Sequence, residues 1–159
     1  MIIGVDPGLS GALVALEDDG TYFDHLDMPS IIVQSKGRVN AAAIQAWIVK
    51  VRAAGATDLR HCYIELVGAM PKQGGSSQFS FGHNTGMVEG VVIGAGVPIT
   101  RIHPATWKKA AKMTGKPKDA VRSRCVDLYP GVRVLDSKGK GGAVADAMLI
   151  ARVGAGLEC

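Results

Sequence analysis

Cysteines, aromatic residues and long apolar runs are all scarce in this sequence of 159 residues. The three cysteines, Cys62, Cys125 and Cys159, have no Cys-x-x-Cys spacing, which argues against a zinc site or a disulfide framework and predicts reduced thiols. No apolar run reaches the roughly 18 residues that a membrane helix needs, so we expect no membrane partner. The N-terminal residues form a strand candidate without a basic leader, so we expect no secretory signal and a cytoplasmic location.

Acidic residues are almost absent from the segment between Arg101 and Arg124. This segment contains eight Lys or Arg residues and a single acid, Asp119, whereas the rest of the chain has a slight acidic excess. A basic segment on a slightly acidic protein indicates a polyanionic partner, but a solvated helical face gives the same pattern. Charge alone supports these two interpretations equally.

The order of the predicted elements is that of an α/β protein. The expected strands cover residues 2–5, 11–17, 21–28, 61–66 and 98–103. The first expected helix is capped by Asn40 and ends at Gly55. The other expected helices cover residues 78–95, 105–113, 117–128 and 142–153. The first three strands are joined closely, with a hairpin turn at Glu17–Gly20, and predict an antiparallel meander. The whole pattern predicts one domain over 1–159, with a mixed five-stranded sheet flanked by helices.

Three acids interrupt apolar patterns that otherwise point inward. Asp6 ends the first strand, Glu65 lies near the end of the fourth, and Asp146 lies in the first turns of the last helix. Burying such carboxylates separately is costly. They are stable together if they share divalent cations, and an all-oxygen ligand set suits Mg²⁺ or Mn²⁺.

A pair of such cations is a known device for in-line displacement at phosphorus. Any one of the three acids alone is more often a strand-end or cap residue with its own hydrogen bonds. Taken together, and with the basic segment nearby, Asp6, Glu65 and Asp146 favour a metal site, in which they are both ligands and catalytic residues.

Several polar and basic residues are candidates for contacts with a nucleic acid. The loop at 67–77 is rich in Gly, Ser and Gln, and such a loop can approach a phosphate backbone closely, although it is equally an ordinary surface loop. Phe79 is able to wedge into an unstacked base step, but core packing is its commoner role, as it is for Trp107. The predicted DNA-binding residues are Lys72, Gln73, Ser76, Ser77, Phe79, Lys108, Lys109, Lys112, Lys116, Lys118, Arg122 and Arg124.

Long stretches of the chain resemble RuvC-type Holliday junction resolvases, most of all the small RuvC-like endonucleases of phages and prophages. The matching stretches occur in the family's order and cover most of the chain: IIGVDPGLSGALVAL, YIELVGAMPKQGGSSQFSFGHNTGMVEGVVIGAGVPITRIHPATWKKAAK, GKPKDAVRSRCVDLYP and ADAMLIARVG. The central stretch, with AMPKQG, SSQFSFG and PATWKK, is highly specific. The short DPGLSG is also similar to phosphate-binding loops of sugar kinases.

This resemblance implies a ribonuclease-H-like fold, a homodimer, and nicking of branched DNA such as four-way junctions with Mg²⁺, for which Mn²⁺ substitutes. Asp6, Glu65 and Asp146 match three of the family's four metal-site positions. The fourth position, usually an Asp or His about three residues before the last acid, falls in Gly141-Gly142-Ala143, which offers no ligand.

Two other functions stay open at this point. The departure at 141–143 is consistent with a branched-DNA-binding protein whose catalysis is weak or lost. A kinase-like ATPase is suggested by DPGLSG alone, but that fold needs two such domains around a nucleotide, and 159 residues are too few.

Overall fold

The computed structural model describes residues 1–55, 58–66, 68, 74–117 and 119–159. The strands are β1 (Ile2–Asp6), β2 (Ala12–Leu16), β3 (Tyr22–Asp27), β4 (Ser30–Val33), β5 (Lys36–Val39), β6 (His61–Glu65) and β7 (Ile99–Ile102). The helices are α1 (Ala41–Ala54), α2 (Gly75–Gly94), α3 (Pro104–Ala110), α4 (Ala120–Leu128) and α5 (Lys140–Gly154), with a 3₁₀ turn at Arg133–Asp136. None of the helices in the described part of the chain combines the length and the apolar character that crossing a bilayer requires.

Five strands form one mixed sheet in the order β3-β2-β1-β6-β7. The first three strands are antiparallel neighbours, whereas β1, β6 and β7 run parallel to one another. The apolar run Ile2–Val5 is buried on both faces, as expected for a central strand. The turn at Glu17–Gly20 forms as predicted, and Gly20 has φ +88°, a conformation that glycine adopts without strain.

Helices cover both faces of the sheet. On one face, Ile3 and Val5 pack with α1 and α2 in a core that includes Ile44 and Val88. On the other face, Ile2 joins a core built with α3, α4 and α5. The predicted α/β architecture with a mixed five-stranded sheet is therefore confirmed.

Local details of α1 and of the cysteines also agree with the sequence. The Asn40 side chain accepts a hydrogen bond from the Ala43 N–H at 3.2 Å and so caps α1. Ile44, Ile48 and Val51 are buried on one side of this helix. The three cysteines are free thiols.

Two features differ from the sequence prediction. Residues 30–39 form a separate two-stranded sheet, β4 and β5, that was not predicted. Its turn residues Gln34 and Ser35 have positive φ without the Asn-Gly or Asp-Gly pair that usually marks such a turn. Helix α2 begins at Gly75, so Ser76 and Ser77 lie in its first turn rather than in the predicted loop.

Candidate active site at the carboxyl edge of the sheet

The carboxyl ends of β1 and β6 place two acids side by side. These strands are parallel neighbours with Val5 opposite Ile64, so the next residues along each strand, Asp6 and Glu65, lie at the same edge. Side chains alternate along a strand, which puts both acids on the face that Ile2 and α5 share. Open α/β sheets commonly bind ligands at this edge.

The Asp6 carboxyl is held in an unfavourable environment for a lone negative charge. Burial raises its pKa above the ordinary value, and the nearby charge of Glu65 raises the pKa further. The Gly8 N–H, which donates to Asp6 Oδ1 at 3.3 Å, and the ammonium group of Lys108 act in the opposite direction. Two neighbouring carboxylates of this kind attract a cation, because a cation relieves both the burial cost and the mutual repulsion.

The Glu65 carboxylate is fixed by Trp107, a residue whose commoner role is core packing. Trp107 is completely buried, as predicted, and its indole N–H donates to Glu65 Oε1 at 2.9 Å. A buried tryptophan needs an acceptor for its N–H, which is the signal that could have linked the two residues. The bond orients one oxygen of Glu65 and leaves the other for a ligand.

Helix α5 brings its first turns to the same edge. Lys140, its first residue, pairs with Asp27 at 3.0 Å, and Asp27 lies in one row across the strands with Ala12 and Asp6. Further along, the helix passes so close to β1 that a Cβ on Gly4 would collide with the Ala147 carbonyl oxygen. The N-terminal half of α5 therefore lies over the carboxyl end of β1.

Asp146 is half-buried on α5, and its charge acts on the thiol of Cys125 in α4. Together with burial, the larger cause, this charge raises the pKa of Cys125 to about 12.

None of the residues at 141–143 has a side chain that can bind a metal, and at Gly141 the packing also excludes a larger residue. A Cβ on Gly141 would approach the Val134 carbonyl oxygen to 2.7 Å, so glycine permits α5 to pack against the 3₁₀ turn. A Cβ on Gly142 meets nothing within 4 Å. Ala143 is half-buried and lies one turn before the buried Ala147.

Two carboxylates fit a single divalent cation. Mg²⁺ commonly binds one or two protein carboxylates and completes its shell with water and substrate phosphate oxygens. Among the described residues, however, no group of three or more His, Cys, Asp or Glu side chains is placed to hold a metal ion. The structure thus brings together Asp6 and Glu65, and Asp146 as a third ligand stays a prediction.

The predicted DNA-binding residues have different environments. Lys108 lies close enough to Asp6 to affect its carboxyl, and it is exposed. Lys109, Lys112 and Lys116 are also exposed, and Arg124 is partly so. Phe79, expected more often in a core, is 69% exposed on α2, so the core interpretation of this residue is wrong. Lys72, Gln73 and Lys118 lie outside the described residues.

The Arg122 guanidinium is held by two partners within the protein. Its side chain is 13% exposed and forms a bidentate ion pair with Asp119 at 2.6–2.7 Å. Its third nitrogen, Nη1, donates to the Leu135 carbonyl oxygen at 2.7 Å. Arg122 thus joins α4 to the 3₁₀ turn, and its contact with a DNA phosphate stays a prediction.

Two cations that contact α2 were not among the predicted DNA-binding residues. Lys36 and Arg38 lie on β5, and they donate to Ser76 and Ser80 of α2 at 3.3 and 2.8 Å. The sequence places them outside the basic segment between residues 101 and 124, so charge counting alone did not identify them.

Comparison with known proteins gives a shared fold. No family model matches the chain, and no curated protein matches its sequence. A solved structure of RuvC from Thermus thermophilus is similar over 97% of this chain and 96% of its own, with 18% identity and a TM-score of 0.56. The structure of T. thermophilus RuvC in complex with a Holliday junction substrate is similar over 96% of this chain and 95% of its own, with 17% identity and a TM-score of 0.59. The chain therefore has the ribonuclease-H-like fold of RuvC.

Proposed function

We propose that the protein is a divalent-metal-dependent endonuclease that nicks branched DNA, with four-way junctions as its substrate. The observation that carries the proposal is the adjacent carboxylate pair of Asp6 and Glu65, with Lys108 close enough for its charge to lower the pKa of Asp6. The substrate class is supported by the T. thermophilus RuvC of the same fold, whose structure contains a Holliday junction substrate. We include in this proposal that the protein is most similar to the RuvC-like endonucleases of phages and prophages.

Asp6 and Glu65 are the proposed ligands of a Mg²⁺ ion, or of Mn²⁺ in its place, with Asp146 as a third. When bound, such an ion stabilises the negative charge that develops at the scissile phosphate. The protein's own part is to hold the ligands: the Gly8 N–H fixes Asp6 and the Trp107 indole fixes Glu65. Lys108 offers a positive charge to the incoming backbone.

A second candidate is a branched-DNA-binding protein with weak or lost catalysis. It is favoured by the stretch at 141–143, which has no ligand, and by the lack of a three-acid cluster among the described residues. The two candidates share a DNA surface and differ only in hydrolysis.

The direct test is incubation of the protein with a synthetic four-way junction and with a linear duplex of the same sequence, each with Mg²⁺ or Mn²⁺. We expect nicks near the branch of the junction and none in the duplex. Metal-dependent binding heat without nicks would favour the second candidate, and equal cutting of both DNAs would exclude structure selectivity.

The exposed lysines of α3 are expected to bind phosphates rather than bases. Replacing Lys108 and Lys109 together by Ala should weaken binding to every junction sequence about equally, because phosphate contacts carry no sequence information. The slope of log K against log salt should fall by about 2, since each lost phosphate contact releases roughly 0.9 fewer counterions. Fluorescence anisotropy at several salt concentrations measures both quantities.

The matched control is Lys50→Ala with Arg52→Ala, which removes the same charge from α1 on the opposite face of the sheet. Its slope should stay close to that of the wild type. A loss of affinity confined to particular junction sequences would show that the lysines of α3 read bases.

The proposed enzyme acts as a homodimer, because resolution of a two-fold symmetric junction needs two nicks. Helix α2 offers a surface for this purpose: Gly82, Gly86, Gly90 and Gly94 recur every four residues, and a Cβ on any of them meets nothing within 4 Å. Glycine inside a helix costs about 1 kcal/mol relative to alanine. Close approach of a second α2 would offset that cost.

Replacing Gly86 and Gly90 together by Leu is expected to convert the dimer to a monomer, because the larger side chains hold the two helices apart. Sedimentation velocity measures the change. Ser123→Leu, at an exposed position of α4 on the other face of the sheet, is the control and should leave the dimer intact. A wild-type protein that sediments as a monomer at all concentrations would contradict the dimer proposal.

A further inference from the structure

The unpredicted hairpin of β4 and β5 projects from the edge of the sheet that carries Asp6. Strand β3 ends at Asp27, in the same row across the sheet as Ala12 and Asp6, and β4 begins three residues later. The chain reverses at Gln34 and Ser35, where φ is 48° and 62°. The hairpin therefore stands beside the candidate active site.

The base of the hairpin is firmly attached to α2. Val39 is completely buried, and its N–H donates to Oδ1 of the buried Asn84 at 3.2 Å. Arg38 donates to Ser80 at 2.8 Å. A two-stranded sheet is marginally stable by itself, so these contacts are what give the hairpin a defined position.

The hairpin exposes apolar side chains to water. Ile32 is 75% exposed, and its neighbours Ile31 and Val33 are 46% and 44% exposed. Opposite Ile32 is Gly37, where a Cβ would come within 3.0 Å of Leu9, itself 38% exposed in the loop after Asp6. Exposed apolar strands of this kind commonly mark interaction surfaces.

The charge around the hairpin indicates a polyanionic partner. Residues 28–57 and 66–88 contain no Asp or Glu, whereas β5 carries Lys36 and Arg38. These cations lie opposite Val33 and Ile31 on the other side of the hairpin from Ile32. A second copy of the chain packed on the same patch would bring like charges together. A polyanion that also offers apolar surface suits both features.

We propose that the hairpin is a branch-point contact, in which Ile32 and Leu9 lie against unstacked bases while Lys36 and Arg38 neutralise flanking phosphates. This inference rests on the proposed function, and it adds a source of structure selectivity that the α3 lysines do not provide. Insertion of an apolar side chain into a base step costs the free energy of unstacking the bases, and this cost is lowest where the DNA is already branched.

The test compares Ile32→Ser with Val49→Ser, a control at a 56% exposed aliphatic residue of α1. Binding is measured without divalent metal on an immobile four-way junction carrying 2-aminopurine at the branch, and on a linear duplex. We expect Ile32→Ser to weaken junction binding on the order of tenfold, to leave duplex binding unchanged and to remove the rise in 2-aminopurine fluorescence. Lys36→Ala should instead lower the salt slope by about 1 on both DNAs.

Each other outcome is decisive. If the wild type prefers junctions and Ile32→Ser retains that preference, the hairpin role is wrong and the proposed function stands. If the wild type binds junction and duplex alike, the proposed function fails and the hairpin role fails with it. If Ile32→Ser converts a dimer into a monomer, a second copy of the chain covers the hairpin and the branch-point contact is wrong.

Discussion

Asp6→Asn is expected to reduce nicking of a four-way junction by at least about a thousandfold, or roughly 4 kcal/mol of transition-state stabilisation. The amide keeps the shape of Asp6 and its contact with the Gly8 N–H, but it removes the charge that binds the cation. Junction affinity should stay nearly unchanged, because it depends on the basic surface. Single-turnover cleavage and anisotropy under the same conditions separate the two quantities.

The same variant has a readout that does not depend on cleavage. Burial raises the pKa of the Asp6 carboxyl in the folded protein above its ordinary value. The folded state is therefore destabilised as the pH rises from the pKa of this group in the unfolded chain through its pKa in the folded protein. At neutral pH the metal-free Asp6→Asn protein should therefore melt at a higher temperature than the wild type. Mg²⁺ should raise the melting temperature of the wild type and not that of the variant.

Asp19→Asn is the matched control for this substitution. Asp19 lies in the β2–β3 turn and accepts a hydrogen bond from the Thr21 N–H at 2.8 Å, which an asparagine oxygen can also do. Its nicking rate should equal that of the wild type. Wild-type nicking by Asp6→Asn would show that the carboxylate pair is not the catalytic centre.

Ala143→Asp is expected to increase nicking at least tenfold, or about 1.4 kcal/mol. Residue 143 lies one turn before Ala147, in the part of α5 that approaches the carboxyl end of β1. An acid there also lies near the positive end of the helix dipole. We therefore expect the chain as it stands to bind a second metal ion weakly and to nick slowly, or only at high Mn²⁺.

Gly142→Asp is the control, because it adds the same charge to the same helix turn at a position that points about 100° away. A Cβ at residue 142 meets nothing within 4 Å, so this variant should fold and improve nicking less. If Ala143→Asp gives no gain over a fast wild type, another residue completes the site. Asp136 is the nearest upstream acid, although its charge already acts on Arg122.

The sequence predicted those parts of the site that strand periodicity determines. Asp6 and Glu65 each lie at the end of a strand with an apolar pattern, and parallel neighbours bring such ends together. The bond from Trp107 to Glu65 could not be read in the same way, since it joins residues 42 positions apart across two elements. Its only trace in the sequence is that a buried indole needs some acceptor.

Charge counting was less informative than periodicity. It placed Arg122 on a DNA surface, but an acid three residues earlier on the same helical side pairs with it. It also did not single out Lys36 and Arg38, because the role we propose for them depends on the hairpin's position and on long stretches without acids, not on a local excess of cations. The β4–β5 turn, with Gln34 and Ser35 at positive φ, lacks the residue types by which such turns are recognised.

The contact between Gly4 and α5 has a consequence for how this protein can evolve. A Cβ at position 4 would collide with the Ala147 carbonyl oxygen and come within 2.7 Å of the Ala151 Cβ, so the helix leaves no room there for any side chain on the strand. The distance of α5 from the sheet therefore depends on an interior glycine. Substitutions in α3 and in the loops can therefore change the geometry of the site in small steps. At position 4, any residue other than glycine would displace the helix.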